Sequence, residues 1–324
     1  MSGATPPPTP SRKGTGLSSP PPLAGGGREE GYRALVLALP WGWLALFLLL
    51  PMAILLVIAL AQPADGVPPF SLALDPAAFA GLADPYYLAA FLLSLKLAAV
   101  SALACLLVGY PMALAIARAP PERRSLLLTL VILPFWTGFL LRMVAWIGLL
   151  RDDGWINAVL LRSGLIGVPL RLLYTDFAVY VGIVYAYLPF MVLPLYARLS
   201  RRDPALEEAA ADLGAPPWRV FVRVVLPLSL PGVWAGLLLV FIPAMGEYVI
   251  PELLGGPSAE TVGRVLWGEF FANHDWPTAA AVACALVAVL LLPAAVWQGR
   301  NPHPDALPEG EGDAKALSNR ERVG

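Results

Sequence analysis

The sequence predicts an all-α polytopic membrane protein with six transmembrane helices. Composition is the first observation: 58 % of the residues are hydrophobic, 14 % are charged and the mean hydropathy is +0.68, far more apolar than a soluble domain. The second is a set of six apolar runs, each near the roughly 20 residues that a helix needs to cross a bilayer. The third is the distribution of Lys and Arg between these runs. The predicted spans are residues 35–61, 88–117, 126–150, 177–197, 233–250 and 278–298.

The two ends of the chain differ from the spans in composition. Residues 1–33 are rich in Pro, Gly, Ser and Thr, so they bury too little apolar surface to fold, and a disordered cytoplasmic tail is predicted. The first apolar run is too long for a signal-peptide core and lacks a convincing cleavage site, so we interpret it as the first span. Residues 34–299 form the predicted transmembrane domain, and residues 300–324 form a polar cytoplasmic tail.

The basic residues predict the orientation of the spans. With the N-terminus inside, the cytoplasmic segments hold most of the 22 Lys and Arg residues. The loops on the other side then hold only Arg151, Arg162, Arg171 and Arg264. Cytoplasmic loops carry an excess of cations in membrane proteins. Both termini, and the segment between the fourth and fifth spans, are therefore expected in the cytoplasm.

That segment, residues 203–232, is predicted to form a charged helical hairpin. Asp203 is placed to cap the first helix, and Pro204 suits its first position because a proline has no N–H to leave unpaired there. Gly214 is the expected C-terminal stop. The periodicity predicts two faces on this helix. The apolar face consists of Leu206, Ala209, Ala210 and Leu213, and the polar face of Glu207, Glu208 and Asp212.

The second helix of the hairpin is predicted to follow Pro216 and Pro217. Pro227 and the pair Pro231-Gly232 are expected to break the chain before the fifth span. The apolar face of this second helix would carry Trp218, Phe221, Val222 and Val225, and its basic face would carry Arg219 and Arg223. Taken by itself, such a hairpin can be a solvated connection between two spans.

The spacing within the hairpin resembles the EAA loop of ABC importer permeases. The matching residues are Glu208, Ala209, Ala210, Gly214, Val224, Leu226 and Pro227. In that family the loop is a coupling helix that docks on a cytoplasmic ATPase subunit. The resemblance therefore implies a type I ABC importer permease fold. It also implies that the coupling residues are Glu207, Glu208, Ala209, Ala210 and Gly214.

The sequence lacks the motifs of an enzyme. It contains no GxxxxGK[ST] phosphate loop, no HExxH and no catalytic Ser/His/Asp arrangement. Cys105 and Cys284 fall inside predicted spans without CxxC spacing, and the two histidines are isolated, so neither a disulfide nor a metal site is expected. We expect no cofactor in this chain. ATP and Mg²⁺ would belong to a partner ATPase.

Ionisable residues inside the spans are candidates for a translocation path. Lys96 is close enough to the outer end of its span to snorkel. Arg142 has aromatic neighbours at helical spacing, namely Phe135, Phe139 and Trp146. Glu247 follows Pro243 and Gly246, where a loosened helix could expose the carboxylate to a cavity. The alternative is an ion pair between Glu247 and Arg142 that only fixes helix packing.

The outer loops are acidic and have aromatic residues nearby. Such a vestibule would attract a cation and offer ring faces for cation–π contacts. The alternative is that acids collect outside only because cations are kept inside. The predicted pathway residues are Glu247, Trp136, Tyr185, Tyr248, Arg142, Asp152, Glu252 and Glu269.

Four further segments are similar to the permeases of bacterial polyamine importers. They begin at Leu133, Ala178, Phe241 and Gly263 and extend the similarity from about residue 88 to 293. The putrescine branch is favoured over the spermidine branch. The resemblance implies an inner-membrane heterodimer of two homologous permeases, a cytoplasmic ATPase dimer and a periplasmic polyamine-binding protein.

Three other interpretations fit parts of the sequence. An ABC permease for another solute, such as thiamine or an iron complex, would share the EAA loop without needing an acidic vestibule. A secondary transporter driven by an ion gradient would be expected to show inverted repeats with broken helices, and no convincing repeat is visible. A purely structural membrane scaffold is disfavoured by the ionisable residues within the spans.

Overall fold

The computed structural model describes residues 26–300, with side-chain burial for residues 36–291. Residues 1–25 and 301–324, which make up most of the two predicted tails, lie outside this range. The helices are α1 (Gly26–Ala59), α2 (Ala77–Gly81), α3 (Pro85–Arg118), α4 (Pro121–Ile132), α5 (Phe139–Leu150), α6 (Trp155–Arg162), α7 (Asp176–Leu199), α8 (Ala205–Asp212), α9 (Pro217–Val220), α10 (Leu226–Met245), α11 (Val249–Leu254), α12 (Val262–Trp267) and α13 (Trp276–Arg300). Two short strands, β1 (Gln62–Pro63) and β2 (Phe70–Ser71), pair antiparallel between α1 and α2.

The chain separates into two compact units at Ala53. The described part of the first unit belongs to α1, an apolar helix with Pro40 and Pro51 inside it. This helix begins at Gly26 and not near residue 35, which corrects the predicted boundary of the tail. Glu and Arg are good helix formers and can continue an apolar helix beyond its apolar part. The second unit, from Ile54 onward, contains all the other elements.

Four helical segments in the described range are long and apolar enough to cross a membrane: Val36–Ala59, Pro85–Arg118, Asp176–Leu199 and Pro217–Met245. The predicted span over residues 126–150 is not one helix, which corrects the sequence prediction. A 3₁₀ turn, Leu133–Trp136, ends its first half, and the chain bends by 90° before α5. Pro134 lies in the turn and Thr137 is extended, so the helical hydrogen-bond ladder stops there. The last predicted span corresponds to α13, whose side chains are described only as far as Leu291.

The predicted break at Pro227 and Pro231 is wrong. Helical structure runs without interruption from Pro217 to Met245 through a π-helical turn, Phe221–Val225. Pro227 falls in the first turn of α10, where a missing N–H is tolerated, and the π turn shifts the backbone pairing just before it. The second helix of the hairpin and the fifth span are therefore one continuous rod.

Helices α3, α7 and α10 pack against one another and form the core of the second unit. Met191 of α7 is fully buried between two glycines, Gly109 of α3 and Gly236 of α10. A Cβ atom at Gly109 would lie 2.9 Å from Cγ of Met191, and one at Gly236 would lie 2.6 Å from its Sδ. Small residues allow helices in a membrane to approach closely, so these positions set the spacing of the three helices.

The core separates two functional ends of the second unit. At one end, the hairpin of α8 and α9 joins the C-terminus of α7 to α10 and contacts Arg118, the last residue of α3. At the other end, α11 packs on α7 and α12 packs on α3, where the Oγ of Ser94 accepts a hydrogen bond from Val262 N at 2.8 Å. A helix of 34 residues such as α3 is about 51 Å long, enough to cross a bilayer and extend beyond it.

Candidate functional site

The first helix of the hairpin, α8, begins and ends where the sequence predicts. The Oδ1 atom of Asp203 accepts a hydrogen bond from Ala205 N at 3.0 Å, so it satisfies a backbone amide at the start of α8. Gly214 has φ +82°, a left-handed conformation that glycine adopts without strain. Its N–H donates to Ala211 O at 2.8 Å, and Ala215 N donates to Ala210 O at 3.1 Å. These two bonds form a Schellman motif, which closes α8.

Both predicted faces of α8 are largely exposed. Leu213 is 89 % exposed and Leu206 is 49 % exposed, and together with Trp218 of α9, which is 63 % exposed, they form what we call the hairpin surface. Glu208 and Ala209 are also exposed, and Ala210 is half-buried. An exposed apolar patch on a well-capped element is typical of a docking surface.

Glu207 has a different position from the other predicted coupling residues. Its carboxylate lies 3.1 Å from the guanidinium of Arg118 and 3.0 Å from that of Arg202. These contacts tie α8 to the end of α3 and to the connection after α7. Glu207 therefore holds the hairpin in place, and its carboxylate is not free on the docking side.

At the opposite end of the core, a cavity of about 280 Å³ lies between the start of α3, α11 and α12. We call it the acidic pocket. It brings together three of the predicted pathway residues, Tyr248, Glu252 and Glu269. The other residues of its lining are Tyr86, Glu260, Arg264, Val265, Trp267, Gly268 and Asn273. Three carboxylates against one guanidinium give the pocket a negative charge.

Hydrogen bonds fix the carboxylates of the acidic pocket. The hydroxyl of Tyr86 donates to Oε2 of Glu260 at 2.8 Å. Glu269, which is 9 % exposed, accepts one hydrogen bond from Tyr87 and one from Asn273, each at 2.8 Å. A carboxylate has about four lone-pair positions, so each of these groups retains acceptor capacity for a further donor.

The remaining walls of the pocket are aromatic and basic. The rings of Tyr248 and Trp267 stack with centroids 4.6 Å apart. Arg264 pairs with Glu252 at 2.8 Å and donates to the carbonyl oxygens of Gly256 and Ala259, so it fastens the connection between α11 and α12. Burial, together with the carboxylate of Glu252, raises the pKa of Tyr248 above its ordinary value.

Glu247 adjoins the acidic pocket in sequence but makes contacts of its own. Its Oε1 accepts hydrogen bonds from Val249 N at 3.0 Å and Ile250 N at 3.3 Å, which caps the start of α11. Its Oε2 accepts a hydrogen bond from the hydroxyl of Tyr187 on α7. The carboxylate is buried, with 9 % of the residue exposed.

The alternative ion pair between Glu247 and Arg142 is not formed. Among the described side chains, no carboxylate lies within 4.0 Å of the Arg142 guanidinium. The guanidinium lies instead over the rings of Phe135 and Phe139, at 5.0 and 5.7 Å from their centroids. The predicted aromatic neighbourhood is present, although Phe135 belongs to the 3₁₀ turn and not to α5.

The remaining predicted pathway residues lie apart from the acidic pocket. Trp136 is 78 % exposed at the bend before α5. Tyr185 of α7 packs edge-on against Trp146, with ring centroids 5.4 Å apart. Asp152 lines a separate cavity of about 630 Å³ beside Tyr174.

Seven residues that line the acidic pocket were not among the predicted pathway residues, and two of these, Tyr86 and Asn273, hydrogen-bond its carboxylates. Tyr86 is 174 residues from Glu260, so no local pattern joins them. Asn273 is four residues after Glu269, a spacing that could have suggested contact. Within the described residues, no group of three or more His, Cys, Asp or Glu side chains is arranged to hold a metal ion.

Comparisons with known proteins agree with the predicted fold. The family model described as "Binding-protein-dependent transport system inner membrane component" matches residues 31–297. The spermidine/putrescine transport system permease protein PotB of Haemophilus influenzae is 38 % identical over 261 residues, which cover 81 % of this chain and 91 % of that protein. PotB of Escherichia coli K12 is 40 % identical over 250 residues, or 77 % and 90 % of the two chains.

A solved bacterial ABC transporter involved in alginate import is similar in structure, with a TM-score of 0.61. The match covers 85 % of this chain and 98 % of that chain at 22 % identity, so it supports the fold alone. The predicted permease fold is confirmed. The family match covers most of the chain and the PotB relatives cover more than three quarters of it. This chain belongs to the family of inner-membrane components of binding-protein-dependent transport systems.

Proposed function

We propose that this chain is the permease subunit of an ATP-driven importer that moves polyamines across the bacterial cytoplasmic membrane by alternating access. The observation that carries the choice of cargo is the acidic pocket, in a chain 38–40 % identical to spermidine/putrescine permeases. A secondary transporter driven by an ion gradient belongs to a different class from this family. The preference for putrescine over spermidine remains a prediction.

The chemistry of the acidic pocket suits an ammonium group. A protonated amine donates up to three hydrogen bonds and accepts none, so it needs acceptors and negative charge. The carboxylates of Glu252, Glu260 and Glu269 offer both. The stacked rings of Tyr248 and Trp267 offer a face over which a cation is attracted. An anionic cargo would be repelled by the same residues.

The proposed complex contains several partners. A second, homologous permease would complete the pore, and a periplasmic binding protein would deliver polyamine to the end with the acidic pocket. A cytoplasmic ATPase dimer, which would hold ATP and Mg²⁺, would dock on the hairpin surface, with both termini on that side. Glu208, Ala209, Ala210 and Gly214 would contact the ATPase. This chain would itself hold no cofactor.

The continuous helix from Pro217 to Met245 suggests how the hairpin is coupled to transport. Movement of the ATPase subunits would displace α8 and α9. Because α9 continues into α10 through the π turn, the displacement would reach the end of this helix at Met245. The turn that follows carries Glu247 and Tyr248, so the acidic pocket would change with the hairpin.

Uptake by the complete importer in proteoliposomes tests the proposal. We expect ATP-dependent uptake of labelled putrescine that competes with spermidine. Glu260→Gln should lower the apparent affinity on the order of tenfold, because a charge-assisted hydrogen bond is lost. Asp65→Asn, which neutralises an exposed acid outside the acidic pocket, is the control and should leave uptake unchanged. Uptake of another solute, such as thiamine, without polyamine uptake would refute the proposal.

A further inference from the structure

Within the described residues, the contacts of the buried Arg142 guanidinium are cation–π contacts with two aromatic rings. The residue is 9 % exposed, and its Nε and Nη1 atoms have no hydrogen-bond acceptor within the described residues. By contrast, Arg264 has a carboxylate and two carbonyl oxygens as partners. Cation–π contacts compensate the desolvation of a buried cation less well than an ion pair with good hydrogen-bond geometry does. The interactions that keep the guanidinium of Arg142 in its position are therefore weak for a charged group at membrane depth.

The two rings under Arg142 belong to separate segments. Phe135 lies in the 3₁₀ turn and Phe139 is the first residue of α5, and the 90° bend falls between them. At the bend, Gly138 has no atom within 4 Å of the position a Cβ would take. Broken helices at membrane depth occur where the backbone lines a cavity. A change in the bend would thus alter the distance between the two ring faces.

Phe135 is the first of a row of aromatic residues in contact, and the last of them hydrogen-bonds a carboxylate. Phe135 packs edge-on against Phe190 of α7, with centroids 5.4 Å apart, and Phe190 lies 6.0 Å from Tyr187. The hydroxyl of Tyr187 donates to Glu247. A cation over the ring of Phe135 and a second cation beside Glu247 would lie at the two ends of this row of aromatic residues.

We propose that the faces of Phe135 and Phe139 form an ammonium site that Arg142 fills in the present conformation. The inference rests on the proposed polyamine cargo. Two cations cannot share one pair of ring faces, because like charges repel strongly where water is excluded. Arg142 and an ammonium group of the cargo therefore occupy the site in turn. While Arg142 is in place, the site is closed to the cargo.

Removal of the guanidinium tests the inference in proteoliposomes that contain the complete importer. Arg142→Met keeps the length of the side chain and removes the charge. We expect putrescine flux without ATP to rise on the order of tenfold over the wild type, because the site is no longer filled. Arg162→Met, at an exposed position on α6, is the matched control and should leave this flux unchanged.

Two further variants separate the ammonium site from a general loosening of the fold. Arg142→Lys retains a cation and should keep the flux without ATP low. Phe139→Leu added to Arg142→Met should abolish the gain in flux, because a ring face is lost. If Arg142→Met behaved as Arg162→Met does, or if the gain survived Phe139→Leu, the inference would be wrong. Failure of ATP-driven uptake in the wild type would instead refute the proposed function.

Discussion

At the scale of single residues, burial and hydrogen-bond partners distinguish the ionisable groups that the sequence singles out. Glu247 is engaged by two backbone amides and by Tyr187, so its carboxylate is fixed in one place. Arg142 has no such partners in the described structure. A fixed carboxylate can act as a preformed acceptor for a passing cation, since no reorganisation is needed. The two residues thus have different roles, although both were candidates for one ion pair.

Glu247→Gln tests the carboxylate. The amide oxygen can still accept from Val249 N and Ile250 N, so the cap of α11 is retained. The negative charge is lost, and we expect polyamine uptake to fall on the order of tenfold. Uptake kinetics in proteoliposomes measure the effect, and thermal unfolding of the detergent-solubilised importer checks the fold. Unchanged kinetics would remove Glu247 from the translocation path.

At the scale of elements, the hairpin consists of α8, which is capped at both ends by local hydrogen bonds, and α9, which continues into a long helix. Asp203 begins α8 and the Schellman motif at Gly214 ends it, so its shape depends on local bonds. Glu207 then fastens it to Arg118 and Arg202. These contacts leave Leu206, Leu213 and Trp218 exposed for a partner.

Replacement of Gly214 tests the coupling role of the hairpin. The φ of +82° strains most residues that have a Cβ, and a Cβ at this position would have no described atom within 4 Å. Gly214→Arg should abolish uptake by uncoupling the ATPase, whereas capture of cargo by the binding protein should be unaffected. Gly214→Asn is the control, because Asn tolerates the left-handed conformation, and it should retain most of the activity. Uptake at the wild-type rate in Gly214→Arg would contradict the coupling role.

At the scale of the whole transmembrane unit, the α3–α7–α10 core separates the hairpin from the acidic pocket. Such a separation is what an importer powered from one side and loaded from the other requires. The distribution of Lys and Arg predicts that the hairpin faces the cytoplasm.

Labelling with a membrane-impermeant maleimide tests this orientation. Leu213→Cys places a thiol at an 89 % exposed position on the hairpin and should react only in inside-out vesicles. Val67→Cys is at a fully exposed position in the loop between β1 and β2 and should react only in right-side-out vesicles. The wild type is the control for Cys105, which is buried, and Cys284. Reaction of Leu213→Cys in intact right-side-out vesicles would place the hairpin outside and overturn the account of coupling.

Much of the fold and of the hairpin could be predicted because the signals are local. Apolar length predicts spans, and the spacing from Asp203 to Gly214 predicts a capped helix, because each depends on neighbours within a few residues. The effect of proline on helix continuity was predicted less well. Pro134 coincides with the broken span, whereas Pro227 and Pro231 lie in a continuous helix. A proline's effect depends on whether the surrounding backbone can pair differently, and sequence alone does not contain that information.

The linear chain determined the class of protein, the composition of most spans and the capped first helix of the hairpin, since hydropathy and capping act over one or two helical turns. Tertiary packing decided which charged groups meet. Glu260 accepts a hydrogen bond from Tyr86, 174 residues away in the sequence. Glu247 accepts one from Tyr187 and does not pair with Arg142. The physical reason is that a buried carboxylate must find donors among whatever side chains the packed helices bring within 3 Å, and that set exists only in the folded molecule.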